Sequence, residues 1–214
     1  MKTSTLKTVN SQVSVSTAPK YIAHWVIKTS RRREMIAWYK TVFNAEVVHS
    51  DKNLTFLSWD GESHRLALVN LPRAFRYLFP LARIRRKLYG IDHIAFGFES
   101  LTSLLYTYSR IKAQGVNPVW CINHGPTTSM YYEDPDGNRL EFQVDNYPSA
   151  AETKRFLTGP IFEENPIGVN FDPEYLLERL NSGVPEKTLL SQNAGVRPGT
   201  KQPGNMKAIN WRTL

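Results

Sequence analysis

The sequence predicts an α+β domain built from two tandem βαβββ modules, with a C-terminal helix and tail behind them. Three observations point there. Two segments repeat one order of strand and helix patterns, each module closes on a run that begins Arg-Leu (RLALV and RLEFQ), and the pattern changes after Asn146.

Residues 1–19 are polar, lack an acidic residue and contain no apolar run, so they are expected to be a disordered leader before a domain spanning 20–146. Module one (20–70) opens with a strand pattern in YIAHWVI (21–27). Ser30 is the expected N-cap of a helix whose Met35, Trp38, Tyr39, Val42 and Phe43 form an apolar stripe. Strands are expected in 45–50, 54–59 and 64–70, with an Asp60-Gly61 turn between the last two.

A basic connector (71–90) follows. It carries Arg73, Arg76, Arg83, Arg85, Arg86 and Lys87 with no acid, interleaved with apolar residues like an amphipathic helix pair broken at Pro80. Module two (90–146) begins GIDHIAFGF, and Ser100 caps a helix carrying Leu101, Leu104, Leu105, Tyr108 and Ile111 before Gly115. Its three further strands are expected in 117–122, 128–133 and 138–145, the last two joined by Asp134-Pro135-Asp136-Gly137. In the C-terminal part (147–214), Asp172, Pro173 and Gly183 mark the start and stop of one helix, and the chain beyond Val184 is expected to wrap the surface or to be disordered.

A formal charge of +8 raises nucleic-acid binding, but much of it is concentrated in the connector, and no nucleic-acid partner is expected. The single cysteine, Cys121, excludes an intramolecular disulfide framework and fits a reducing compartment. No apolar run approaches spanning length, so a cytoplasmic location without a membrane partner is expected. A homo-oligomer is compatible with all of this.

Aligning the modules sets His24 against His93, each near the middle of a first strand, and Ala67 against Glu141 in the last strands. Pseudo-twofold pairing would then bring two imidazoles and one carboxylate to one cavity, with no fourth ligand where Ala67 stands. Such a set leaves open positions on Fe(II) for an organic substrate and O2, and it also suits Mn(II) or Zn(II). His49 has no counterpart in this scheme and is read as a surface residue.

The paired modules, His24, His93 and the Tyr131-x-x-Asp134-Pro135-x-Gly137-Asn138-x-x-Glu141 run resemble the vicinal oxygen chelate superfamily of glyoxalases, bleomycin resistance proteins and extradiol dioxygenases. Within it the chain is most similar to the one-domain type I extradiol ring-cleaving dioxygenases of the biphenyl-2,3-diol 1,2-dioxygenase kind, over about residues 20–183. The resemblance implies that His24, His93 and Glu141 bind Fe(II). It implies that His64 is the acid/base residue, that Tyr131 holds a substrate oxygen, and that His124 contacts substrate or stabilises charge on oxygen. The implied reaction inserts both atoms of O2 into a catechol-type aromatic, mono- or bicyclic. The rival expectations are a metal-dependent isomerase, hydrolase or thiol transferase of the same fold, and a non-catalytic aromatic-binding protein.

Overall fold

The computed structural model describes residues 19, 21–78 and 90–200, so the expected leader, most of the basic connector and the last fourteen residues lie outside the described residues. The first module runs β1 (Trp25–Thr29), α1 (Arg32–Phe43), β2 (Glu46–Ser50), β3 (Leu54–Ser58) and β4 (Leu66–Asn70). The second runs β5 (His93–Gly97), α3 (Leu101–Lys112), β6 (Trp120–Asn123), β7 (Thr127–Glu133) and β8 (Arg139–Asp145). A one-turn helix, α2 (Phe75–Leu78), follows β4.

Each module folds one sheet. The orders are β1-β4-β3-β2 and β5-β8-β7-β6, the latter extended at its edge by β9 (Val169–Asn170). In both, the first strand pairs parallel with the last and the other contacts are antiparallel. A parallel pair requires a crossover, which the helix of each module begins.

The two parallel ladders share a register. Val26 lies opposite Ala67 and Ala95 lies opposite Glu141. His24 and His93 each stand two residues before those partners, so the alignment of the modules holds residue by residue. Its placement within the strands differs, however, from the expected mid-strand position. His93 opens β5, while His24 precedes β1, because the carbonyls of Ile22 and Ala23 are taken by the Arg65 guanidinium rather than by a ladder.

The helix ends show a second correction. Ser100 caps α3 with a reciprocal bond pair to Ser103, whereas α1 starts from Arg31, which makes no side-chain cap, rather than from Ser30. The reason lies across the module boundary: Arg31 turns its guanidinium to the Pro135 carbonyl at 2.8 Å and to Asp136. Asn44 ends α1 in the left-handed conformation that a short amide side chain tolerates.

Phe43 joins the modules. Its ring lies 4.4 Å from that of Trp59, 4.9 Å from Phe96 and 5.2 Å from Phe142, mostly edge-on or tilted as aromatic quadrupoles prefer. Beside it Tyr39 donates to the buried Asp134 at 3.3 Å, and Asp134 also accepts the amides of Asp136 and Asn138 that hold the acidic turn. Burial raises the Tyr39 and Asp134 pKa values above their ordinary ranges.

The C-terminal part holds more structure than one helix. Besides α6 (Pro173–Asn181), capped by Asp172 as expected, it forms α4 (Ala150–Leu157), α5 (Pro160–Glu164) and α7 (Glu186–Leu189). Neither α4 nor α5 has a fully buried residue, so neither is anchored by a buried stripe as α1 and α3 are. Leu189 and Ala194 pack into the core of module two, so the described residues 185–200 dock on the domain, while the rest of the expected tail lies outside the described residues.

Arg110 on α3 donates to the carbonyls of Thr41 and Val42 at 2.6 and 2.8 Å, tying the end of α1 to module two. Replacing it with alanine leaves both acceptors without this partner, and Arg110→Ala is expected to cost about 2 kcal/mol of stability. In urea titration the midpoint should fall with an unchanged slope. An unchanged midpoint would show that this tie contributes nothing.

Candidate functional site

On the second sheet, antiparallel pairing sets Tyr131 opposite Glu141 and Trp120 opposite Tyr131. Cross-strand partners share a face, so Glu141, Tyr131 and Trp120 form one row across β8, β7 and β6. His93 stands opposite Arg139, two residues along β8 from Glu141, and therefore reaches the same face. The neighbouring Tyr132 points the other way into the core and is 1% exposed.

The row is densely bonded. His93 Nε2 lies 3.0 Å from Glu141 Oε2, and His93 Nδ1 lies 2.7 Å from Asp92 Oδ2. Glu141 is only 4% exposed. Burial pushes its carboxyl up, but hydrogen bonds from His93, Ser129 and Tyr131 outweigh burial and hold it below the usual range. The His93 imidazole is raised to about 9, first by the Glu141 bond, with burial opposing and Asp92 adding to it. Burial, then the Glu141 charge, moves the Tyr131 hydroxyl well above its ordinary value.

His124 follows β6. Its Nε2 is 3.0 Å from the Tyr131 hydroxyl and its Nδ1 faces the Ile167 carbonyl, while burial depresses its pKa. The Trp120 ring stacks on Tyr131 at 5.0 Å.

The first sheet supplies a separate aromatic group. His24 and His64 have ring centroids 4.7 Å apart, and His64 stacks on Phe56 at 4.7 Å. Of the six residues singled out in the sequence, His93, Glu141, Tyr131 and His124 thus gather on module two, and His24 and His64 gather on module one. Among the described residues no three His, Cys, Asp or Glu side chains stand together as a ready metal-holding group.

Three contributors escaped the sequence reading. Ser129 was detectable, because strand alternation puts it on the face of Tyr131, and Asp92 stands beside His93 in the Asp-His dipeptide. Phe56 had no distinguishing local signal. His49 lies against Asp51 and near Phe56 on an exposed strand.

Residues 21–142 match the sequence pattern of the Glyoxalase/Bleomycin resistance protein/Dioxygenase superfamily. The chain belongs to that superfamily. Two superfamily relatives from Rhodococcus globerulus are similar over most of their length. Biphenyl-2,3-diol 1,2-dioxygenase 2 is 40% identical over 91% of this chain and 99% of its own, and biphenyl-2,3-diol 1,2-dioxygenase 3 is 35% identical over 80% and 87%. Among solved structures, lactoylglutathione lyase from Agrobacterium tumefaciens aligns with a TM-score of 0.45 at 20% identity, covering 59% of this chain and 94% of that one.

The superfamily implies a metal cofactor, and part of the donor set suits a divalent cation. A buried carboxylate and an imidazole nitrogen converge at hydrogen-bond distance, and the far nitrogen of that imidazole is held by a second carboxylate, the arrangement that orients metal-binding histidines.

In the metal-free protein the His93–Glu141 pair should leave a mark on stability. Because the folded His93 pKa is about 9 against an ordinary 6.5, its contribution is complete below pH 6.5 and is lost as pH rises through 9. The lowered Glu141 pKa adds stability above its ordinary value of 4.5 that is lost as pH falls. Chemical denaturation across pH should show the alkaline loss in wild type but not in Glu141→Gln. An identical alkaline slope in both would exclude this pair as its source.

Proposed function

We propose that the chain is an extradiol ring-cleaving dioxygenase that uses Fe(II) to insert both atoms of O2 into a catechol-type aromatic. The observation that carries this reading is the row on module two: one buried carboxylate, Glu141, bonded to His93 Nε2, with the Tyr131 hydroxyl on its ladder partner and His124 behind it. The two Rhodococcus relatives, whose names state that activity on biphenyl-2,3-diol, support it. Ala67 supports it too, because the site then has one carboxylate where an isomerase with four protein ligands would need a second.

In this reading His24, His93 and Glu141 hold the iron. Bound Fe(II) would lower the pKa of a catechol hydroxyl and bring O2 beside the ring. The other residues act on the substrate directly. The Tyr131 hydroxyl bonds the second catechol oxygen. His64, stacked on Phe56, accepts a substrate proton on binding and returns one later, a role for which an imidazole has both a donor and an acceptor nitrogen. Neutral His124, kept so by burial, offers its Nε2 to the polar end of the site. Trp120 and Phe56 supply aromatic faces against which a mono- or bicyclic ring can pack.

Oxygen uptake by anaerobically Fe(II)-loaded protein, measured across mono- and bicyclic catechols, tests the reaction. Stoichiometric uptake with ring cleavage is expected, and chelation of iron should abolish it. Glu141→Ala should eliminate turnover, and Tyr131→Phe should lower kcat by about 10²-fold. Stoichiometric zinc with no oxygen uptake on any catechol, or ring cleavage that survives Glu141→Ala, would overturn the proposal.

A further inference from the structure

The segment 165–170 lies beyond both modules, yet it touches Trp120 of the row and His124 behind it. Its β9 residues pair with β6, Asn170 opposite Ile122 and Val169 opposite Asn123. Trp120 Nε1 donates to Asn170 Oδ1 at 2.9 Å, and His124 Nδ1 faces the Ile167 carbonyl oxygen at 2.5 Å.

We propose that this segment is a positioning clamp: the Ile167 carbonyl holds the His124 proton on Nδ1, which leaves Nε2 as an acceptor aimed at the Tyr131 hydroxyl. The inference rests on the dioxygenase reading for its catalytic meaning, though not for its geometry.

The chemistry is one-directional. A carbonyl oxygen can only accept, so the nitrogen facing it must carry the hydrogen, and in a neutral imidazole the other nitrogen is then a lone pair. The Tyr131 oxygen consequently has two acceptors for neighbours, His124 Nε2 and the Glu141 carboxylate. Its single proton must go to one of them. What it offers a bound catechol is lone pairs, so Tyr131 would accept a hydrogen bond from the second substrate hydroxyl.

Gly168 makes the clamp close enough to work. Its φ is +111°, and a Cβ there would stand 2.2 Å from the Asn123 carbonyl oxygen and 2.7 Å from His124 Cα. The opposing backbone cannot easily give way. The Asn123 side chain is 3% exposed and bonded to the Leu190 carbonyl, the Gly125 amide and Asn146. Asn165 brackets the glycine from its own side, donating to the Gly168 carbonyl at 2.8 Å and accepting its amide at 3.1 Å. Any side chain at 168 must therefore push the Ile167 carbonyl away from His124.

The test reads the tautomer itself. In metal-free protein labelled with 15N-histidine, with His124 assigned by comparison with His124→Gln, the wild type should show a protonated Nδ1 and an unprotonated Nε2. Gly168→Ala should lose that preference, and in the iron-loaded enzyme its kcat should fall by about 10²-fold, the scale of a misplaced reacting group, with a smaller change in KM. Asn165→Ala adds no atoms and should weaken the preference in the same direction, which keeps the test available if Gly168→Ala does not fold. Gly183→Ala is the control. Gly183 also has positive φ, +85°, but meets nothing within 4 Å, so the tautomer should stay. A wild-type His124 protonated on Nε2, or a folded Gly168→Ala with unchanged tautomer and kcat, overturns the clamp. A locked tautomer in a protein that cleaves no catechol leaves the clamp standing and sinks the dioxygenase reading instead.

Discussion

The parallel ladder between β5 and β8 is the constraint from which the site follows. By setting Ala95 opposite Glu141 and His93 opposite Arg139, it brings an imidazole and a carboxylate to the same face of a sheet. A slip of one residue would turn Glu141 into the core and expose Phe142, which is 2% exposed in the core cluster. The apolar requirement of one face therefore holds the chemical arrangement of the other. The same register recurs between β1 and β4, where the position matching Glu141 is Ala67.

That repetition with one difference gives the domain its asymmetry. The second module carries the buried acid, its hydrogen-bond donors and the aromatic row, while the first contributes the His24, His64 and Phe56 stack. The two halves are held together by the rings around Phe43, by Arg110 on the end of α1, and by Arg31 and Tyr39 on the acidic turn. The DPDG turn thus does more than reverse the chain. Its first carboxylate is buried and receives a hydroxyl from the other module.

Local patterns revealed much of this. Apolar spacing located α1 and α3, since Met35, Tyr39 and Val42 and the Leu101 to Ile111 series are the residues that bury. Ser100 and Asp172 announced their helices because a side-chain oxygen beside an open helix end has one dominant use. Ser30 offered the same signal at α1, yet the helix starts one residue later at Arg31, whose guanidinium is drawn across the module boundary. The α4 and α5 helices stayed hidden because they bury no stripe. The row partners of Tyr131 could be placed by period-two alternation, whereas Phe56 and the Ile167 carbonyl could not, since nothing local distinguishes them.

By itself, then, the sequence determined the repeat, the strand and helix order, and the equivalence of His24 with His93 and Ala67 with Glu141, because these depend on spacing and on short-range sterics. Only the tertiary structure decided which side chains meet. Long-range pairing put His93 on Glu141 and left His24 beside His64, and the approach of a C-terminal segment, possible only at Gly168, brought a backbone carbonyl to His124. Contacts of that kind depend on where distant stretches of chain are packed, and no local pattern encodes that.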